Sequence, residues 1–114
     1  LTAYIAAHPG SFDLIISADT LVYFGDLKPI FQAIAEALTP GGTVVFTLES
    51  TEREPEAGYN INPHGRFAHT EGYMREALAR AGMTVTLCDR VMLRYEGGKP
   101  VDGFLIAATP EHVA

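Results

Sequence analysis

Apolar residues recur along this chain in two distinct rhythms. After the turn cluster His8-Pro9-Gly10-Ser11, the run Phe12-Asp13-Leu14-Ile15-Ile16-Ser17-Ala18 is apolar on both faces and bounded by polar residues. That pattern predicts a buried strand of the parallel type. Leu27, Ile30, Phe31, Ile34 and Leu38 then repeat every three or four positions, the period of a helix with one buried stripe. Asp26 stands where a cap belongs, and Pro29 is tolerated in a first turn. Thr39-Pro40-Gly41-Gly42 ends the helix, because proline disfavours a helical residue before it and the glycines supply the turn. Thr43 to Leu48 is a second strand, β-branched and aromatic, again apolar on both faces. Strand, helix, strand in this short compass predicts a right-handed crossover joining two parallel strands.

From Glu49 to Arg66 the periodicity disappears and the chain becomes acidic and rich in turn formers. A loop that long in a compact domain is more often functional than idle. Thr70 is positioned to cap a second helix running through Ala81, with Glu71 at its positive end and Arg75 and Arg80 toward its negative end. Tyr73, Met74, Ala77, Leu78 and Ala81 form its apolar stripe, and Gly82 stops it. Val85, Leu87, Val91 and Leu93 alternate with Thr86, Cys88, Arg90 and Arg94 as a half-exposed strand. Glu96-Gly97-Gly98-Lys99 turns the chain into a returning strand from Val101 to Ala108, completing an antiparallel hairpin. The opening segment Leu1 to Ala7 reads as the end of a helix. Because it starts with leucine rather than methionine, a missing beginning is expected. The fold class is therefore α/β, with four strands of which two parallel ones need cover on both faces.

Composition narrows the function. A chain of 114 residues, 47% apolar, is one domain with enough material for a modest core. Its single cysteine, Cys88, excludes an internal disulfide framework and fits a reducing compartment. Eight basic against 14 acidic residues leave a net charge of -6, a field that repels nucleic acid and anionic membranes. No apolar run approaches the roughly 20 residues of a membrane span, and no secretory signal is present, so a cytoplasmic location is expected.

Connectivity alone points to a site. In open α/β sheets ligands gather beyond the carboxyl ends of the parallel strands. Those ends are Ser17-Ala18-Asp19-Thr20 and Glu49-Ser50-Thr51, and the next helix must start at the same rim, bringing Arg66-Phe67-Ala68-His69 to it. Asp19, Tyr23, Glu49, Arg66 and His69 converge on one crevice.

The block from Phe12 to Phe24, followed by a helix and then Leu38-Thr39-Pro40-Gly41-Gly42-Thr43-Val44-Val45-Phe46, resembles the carboxy-terminal half of a class I S-adenosylmethionine-dependent methyltransferase. Gly65-Arg66-Phe67-Ala68-His69-Thr70, with Leu93-Arg94-Tyr95-Glu96 before Val101-Asp102-Gly103, is similar more narrowly to methyltransferases that carry tetratricopeptide repeats upstream. The resemblance makes these strands the fourth to seventh of a seven-stranded Rossmann-like sheet. It implies that residues 1–114 are the carboxy-terminal portion of a methyltransferase domain. The family's glycine-rich loop after its first strand and the acidic residue ending its second are absent, since Gly41-Gly42 and Gly97-Gly98 do not open helices. The chain alone is therefore expected to bind S-adenosylmethionine poorly and to be inactive.

Methyl transfer is an in-line displacement, so catalysis consists mostly of alignment, with a base where the acceptor must lose a proton. The resemblance places Ser17, Ala18 and Asp19 beside the methionine part of the cofactor, although Asp19 could equally cap the following turn. His69 either serves as the base or pins loop to helix by a hydrogen bond. Arg66 either holds an anionic acceptor bidentately or pairs with a nearby carboxylate. Tyr23 and Glu49 complete the acceptor-side candidates, with Tyr59 a further aromatic either in the pocket or in packing. His64 and His69 straddle a helix start with no cysteine to join them, which disfavours a zinc site. The acceptor is a small molecule or a protein. The outer edge of the first strand predicts homodimerisation, and the alternative function is a non-catalytic interaction or dimerisation module.

Overall fold

The two strands predicted to be parallel lie side by side in one direction. In the computed structural model, β1 (Phe12–Ser17) pairs with β2 (Leu38–Ser50), with Ile15 opposite Val44 and Ser17 opposite Phe46. The structure describes residues 7–18, 21, 24–51, 59–61 and 66–111. The helix expected over Leu1 to Ala7 falls almost wholly outside that range.

Between the two strands runs α1 (Lys28–Ala37), with Ile30, Phe31, Ala33, Ile34 and Ala37 buried as its apolar spacing requires. Its carboxyl end is tied to the start of β1, where the N–H groups of Gly10 and Ser11 donate to the carbonyls of Glu36 and Ala37, each at 2.8 Å. These bonds satisfy carbonyls that a helix end leaves without partners. The cap differs from expectation. Leu27, not Asp26, occupies the cap position and offers no side-chain bond, while the Asp26 carboxylate accepts from the Lys28 N–H at 3.0 Å.

The acidic stretch also differs from the featureless loop expected. It contains β3 (Tyr59–Ile61), which pairs antiparallel with β4 (Phe67–His69) just beyond it, and β4 is parallel to the end of β2. The register explains why such a short strand forms. β1 stops opposite Phe46, leaving the edge of β2 open beyond it, and β4 takes that edge with Ala68 opposite Glu49 and His69 opposite Ser50. A three-residue strand has no period to read.

α2 (Glu71–Arg80) follows directly, capped by Thr70, whose hydroxyl accepts from the Tyr73 N–H at 3.2 Å. Gly82, at a φ of 75°, closes it in the left-handed region that favours glycine. β5 (Met83–Glu96) and β6 (Lys99–Pro110) then form the long hairpin. Gly97 and Gly98, at φ of 55° and 77°, make the two-residue turn between the paired Glu96 and Lys99. The strand order is β3-β4-β2-β6-β5, with β1 also pairing to β2.

The core lies on one face of this sheet. Val44, Phe46 and Leu48 of β2 and Phe104, Ile106 and Ala108 of β6 pack with α1 and with Met74, Ala77 and Leu78 of α2, and the Phe31 and Phe46 rings meet at 5.3 Å. On the other face β1 is open among the described residues: Leu14 is 54% and Ile16 68% exposed. Cover on both faces was expected, but α1 and α2 sit on the same side, so β1 is covered on that side alone. No described helix is long and apolar enough to cross a membrane.

Candidate functional site

The carboxyl rim of β2 carries a buried charge, Glu49, which is only 3% exposed. A carboxylate this enclosed needs cationic partners. Two are among the described residues: Arg66, just ahead of β4, donates from Nε at 2.9 Å, and Arg94 of β5 donates from Nη2 at 2.5 Å. Both guanidiniums also meet Glu96 at the end of β5, Arg94 through Nε at 3.0 Å and Arg66 through Nη2. Four alternating charges thus join the end of β2, the start of β4 and the far end of the hairpin.

Gly103 makes this possible. It lies on β6 between Glu49 and Val91, where a Cβ would collide with the Leu48 carbonyl and the Leu93 side chain. A glycine inside an apolar strand is the one sequence signal of such close approach. Arg94 and Glu96 were not singled out as site residues, because strand alternation reads them as ordinary exposed positions.

His69 ends β4 and is wholly buried. Its Nε2 lies 3.0 Å from the Gly25 carbonyl, an acceptor only, so Nε2 carries the hydrogen and the lone pair resides on Nδ1. Nδ1 is enclosed and has no hydrogen-bond partner among the described residues. The imidazole stacks on Tyr73 at 5.9 Å and tilts against Tyr59 at 5.9 Å. Burial pushes its pKa below the ordinary 6.5, outweighing the raising effects of the Gly25 and Phe24 carbonyls and of the Glu49 charge. The ring is therefore neutral at pH 7. Gly25 is required beside it, since a Cβ there would stand 2.6 Å from the Tyr59 ring and 2.8 Å from that of Phe67.

At the end of β1 the Ser17 hydroxyl is likewise enclosed without a partner among the described residues. Two orphaned polar atoms, one at the end of each strand flanking β2, are the feature that a ligand at this rim would resolve.

Comparison with known proteins fits this geometry. The sequence profile of a methyltransferase domain family matches residues 3–46. The chain is 26% identical over 109 residues to a malonyl-[acyl-carrier protein] O-methyltransferase of Porphyromonas gingivalis, covering 92% of this chain and 43% of that protein. Among solved structures, an S-adenosylmethionine-dependent methyltransferase from Methanosarcina mazei superposes with a TM-score of 0.71 at 18% identity, over 90% of this chain and 61% of that one. A counterpart from Mesorhizobium loti gives 0.69 at 21% identity, over 89% and 62%. The 1,6-didemethyltoxoflavin-N1-methyltransferase of Burkholderia thailandensis, solved with its substrate and S-adenosylhomocysteine, gives 0.71 at 16%, over 95% and 48%.

The fold is that of the S-adenosylmethionine-dependent methyltransferases. The chain spans 43% of the curated relative and less than two thirds of each of these solved structures.

Within the methyltransferase fold, the sequence-derived site divides in three. Glu49 and Arg66 do meet, Arg66 lying just ahead of β4, while His69 ends β4 one register position further on, opposite Ser50. Ser17 and Ala18 end the neighbouring strand on the same side of β2. Asp19, Tyr23 and His64 lie outside the described residues. Of the two readings of Arg66, its contacts in this structure are those of carboxylate pairing. Tyr59 packs against Phe67, His69 and Tyr73. Cys88 is half-buried against the core, and burial pushes its thiol pKa up, away from reactivity.

Proposed function

We propose that this chain is the carboxy-terminal, acceptor-side part of an S-adenosylmethionine-dependent methyltransferase, and that it needs an upstream half to act. The observation that carries the reading is the pair of enclosed, unpartnered polar atoms, Ser17 Oγ and His69 Nδ1, at the carboxyl rim of a methyltransferase-type sheet. Ser17, Ala18 and Asp19 would hold the methionine part of the cofactor, which when bound supplies an electrophilic methyl group on a sulfonium.

The chain's own residues would do the rest. His69 holds its Nε2–H on the Gly25 carbonyl, so the ring cannot turn and Nδ1 presents a lone pair. Its lowered pKa leaves that lone pair unprotonated at neutral pH, ready to take the acceptor's proton. Glu49 holds Arg66 at the rim, and with Tyr23 they would orient the acceptor. The half-buried rings of Tyr59 and Tyr73 pack against His69 and against each other, holding the imidazole in place.

Calorimetry on the protein extended upstream of Leu1 by its native sequence tests the reading. Heat with S-adenosylmethionine is expected for the longer protein and none for residues 1–114. Absence of heat from the longer protein would sink it.

A second reading, a non-catalytic module working through dimerisation, is favoured by the exposure of Leu14 and Ile16 on β1. Substituting Asp19→Ala and His69→Ala in the longer protein separates the two. Lost turnover in a folded protein marks catalysis, whereas a parent without turnover whose self-association survives both changes marks the module.

A further inference from the structure

The hairpin carries a hollow apart from the charge cluster. Its volume is about 300 Å³, and it is lined by Arg90, Val91 and Met92 of β5 and by Asp102 and Gly103 of β6. Arg90 stands opposite Phe104 and Met92 opposite Asp102, so Arg90, Met92 and Asp102 share the face of the sheet on which the core lies. The Arg90 guanidinium sits over the Phe104 ring, 5.2 Å from its centre, a stacking that engages the flat of the group rather than its donor edge. It makes no ion pair among the described residues. Asp102 accepts from the Ser50 hydroxyl through its backbone carbonyl at 3.2 Å, and its carboxylate has no partner among the described residues either.

Opposite charges on neighbouring strands ordinarily pair with one another. These two are diagonal neighbours, with backbones roughly 7–8 Å apart, and with Arg90 seated on Phe104 they do not meet. A cation and an anion facing one hollow match a ligand that bears both signs. An α-amino acid carries its carboxylate and ammonium on the same carbon, so a single molecule bridges the gap, the carboxylate on the guanidinium fork and the ammonium on Asp102. Being neutral overall, it is not repelled by a chain at -6 as a simple anion is, and it leaves neither side chain without a counter-charge. Met92, 50% exposed, offers the ligand's side chain an unbranched and adaptable apolar surface.

We infer that this hollow binds an amino-acid zwitterion, with Arg90 and Asp102 as its two poles. Its place in the register ties it to the rim. His69 lies opposite Ser50, Ser50 bonds to Asp102, and Asp102 lies opposite Met92, so the four form one row across β4, β2, β6 and β5. Adjacent strands stand about 4.8 Å apart, which sets Asp102 roughly 10 Å from His69 along that row. An acceptor held by its amino-acid end would present a distant side-chain atom to the base. That identification of the ligand with the methyl acceptor rests on the methyltransferase reading above, whereas binding of the amino acid does not, and it is measured without cofactor or turnover.

Methionine methyl resonances read the site directly. The chain has three methionines, of which Met74 and Met83 are buried, so Met92 reports on the hollow and the other two serve as internal controls. Titration of residues 1–114 with L-leucine should shift the Met92 methyl alone. Isocaproate, which lacks the ammonium, and isoamylamine, which lacks the carboxylate, should each bind about tenfold more weakly than leucine. Arg90→Gln should leave leucine binding no better than the amine, and Asp102→Asn no better than the acid. The comparison of the three ligands on the parent decides the question should a variant fail to fold. A Met92 signal that stays in place up to the solubility limit of leucine, equal affinity of the parent for leucine and either analogue, or undiminished leucine binding in a folded variant would each overturn the inference. Leucine binding at Met92, joined to an extended protein that gives no heat with S-adenosylmethionine, would sink the methyltransferase reading and leave the zwitterion site standing.

Discussion

The Tyr73 hydroxyl accepts the Leu27 N–H at 2.9 Å, so a side chain on α2 completes the start of α1, 46 positions earlier in the chain. The same hydroxyl donates to the Asp26 carboxylate at 3.1 Å, which in turn accepts from Lys28. Burial, with Asp26 beside it, pushes the Tyr73 pKa up to about 12. Tyr73→Phe leaves the buried Leu27 amide without a partner, and a loss of about 1–3 kcal/mol in urea unfolding is expected. The native phenol stays protonated where an unfolded one ionises. Stability from this group is therefore complete below pH 10 and falls as pH rises toward 12, a decline absent in the phenylalanine variant.

Glu49 is the centre of the rim's charges, and its loss should be felt in stability before any chemistry. Glu49→Ala removes the buried carboxylate that Arg66 and Arg94 share, an expected cost of about 3 kcal/mol. Combining Glu49→Leu with Arg94→Met replaces the pair by apolar volume and should recover much of that loss. Urea midpoints of the single and double variants measure the coupling, and additive effects would show that the pair contributes nothing.

His69 imposes a pH dependence of definite sign. Its folded pKa lies below 6.5, so as pH falls the unfolded chain takes up this proton first. The contribution is present above about pH 6.5 and is lost as pH drops below it, with a limiting slope of about 1.4 kcal/mol per pH unit. His69→Phe keeps the ring packing and removes the titration. Unfolding free energies from pH 7.5 to 5.5 should fall more steeply for the parent than for the variant.

The bare face and outer edge of β1 predict self-association of residues 1–114. Leu14 and Ile16 expose more than half their surface beside backbone groups that carry no ladder partner among the described residues. Static light scattering should find dimers or larger species, and Ile16→Lys should shift them toward monomer. A monodisperse parent monomer at high concentration would refute this.

Hydrophobic period was enough to locate the elements that bury a continuous stripe or face. Phe12 to Ser17, the helix ending at Ala37, the helix capped by Thr70 and the Gly97-Gly98 hairpin all announce themselves within a few residues, because local packing and turn chemistry act over that range. The meeting of Glu49 with Arg66 at the rim was within reach of connectivity too, since right-handed crossovers leave few ways to arrange two parallel strands. Neither of the short strands β3 and β4 was, because their pairing depends on where β1 happens to end. The roles of Arg94, Glu96, Gly103 and Tyr73 emerge only when β6 and β5 lie against β2 and α2 against α1. Charge pairing and capping across such distances are set by three-dimensional proximity, which no local pattern in a chain encodes.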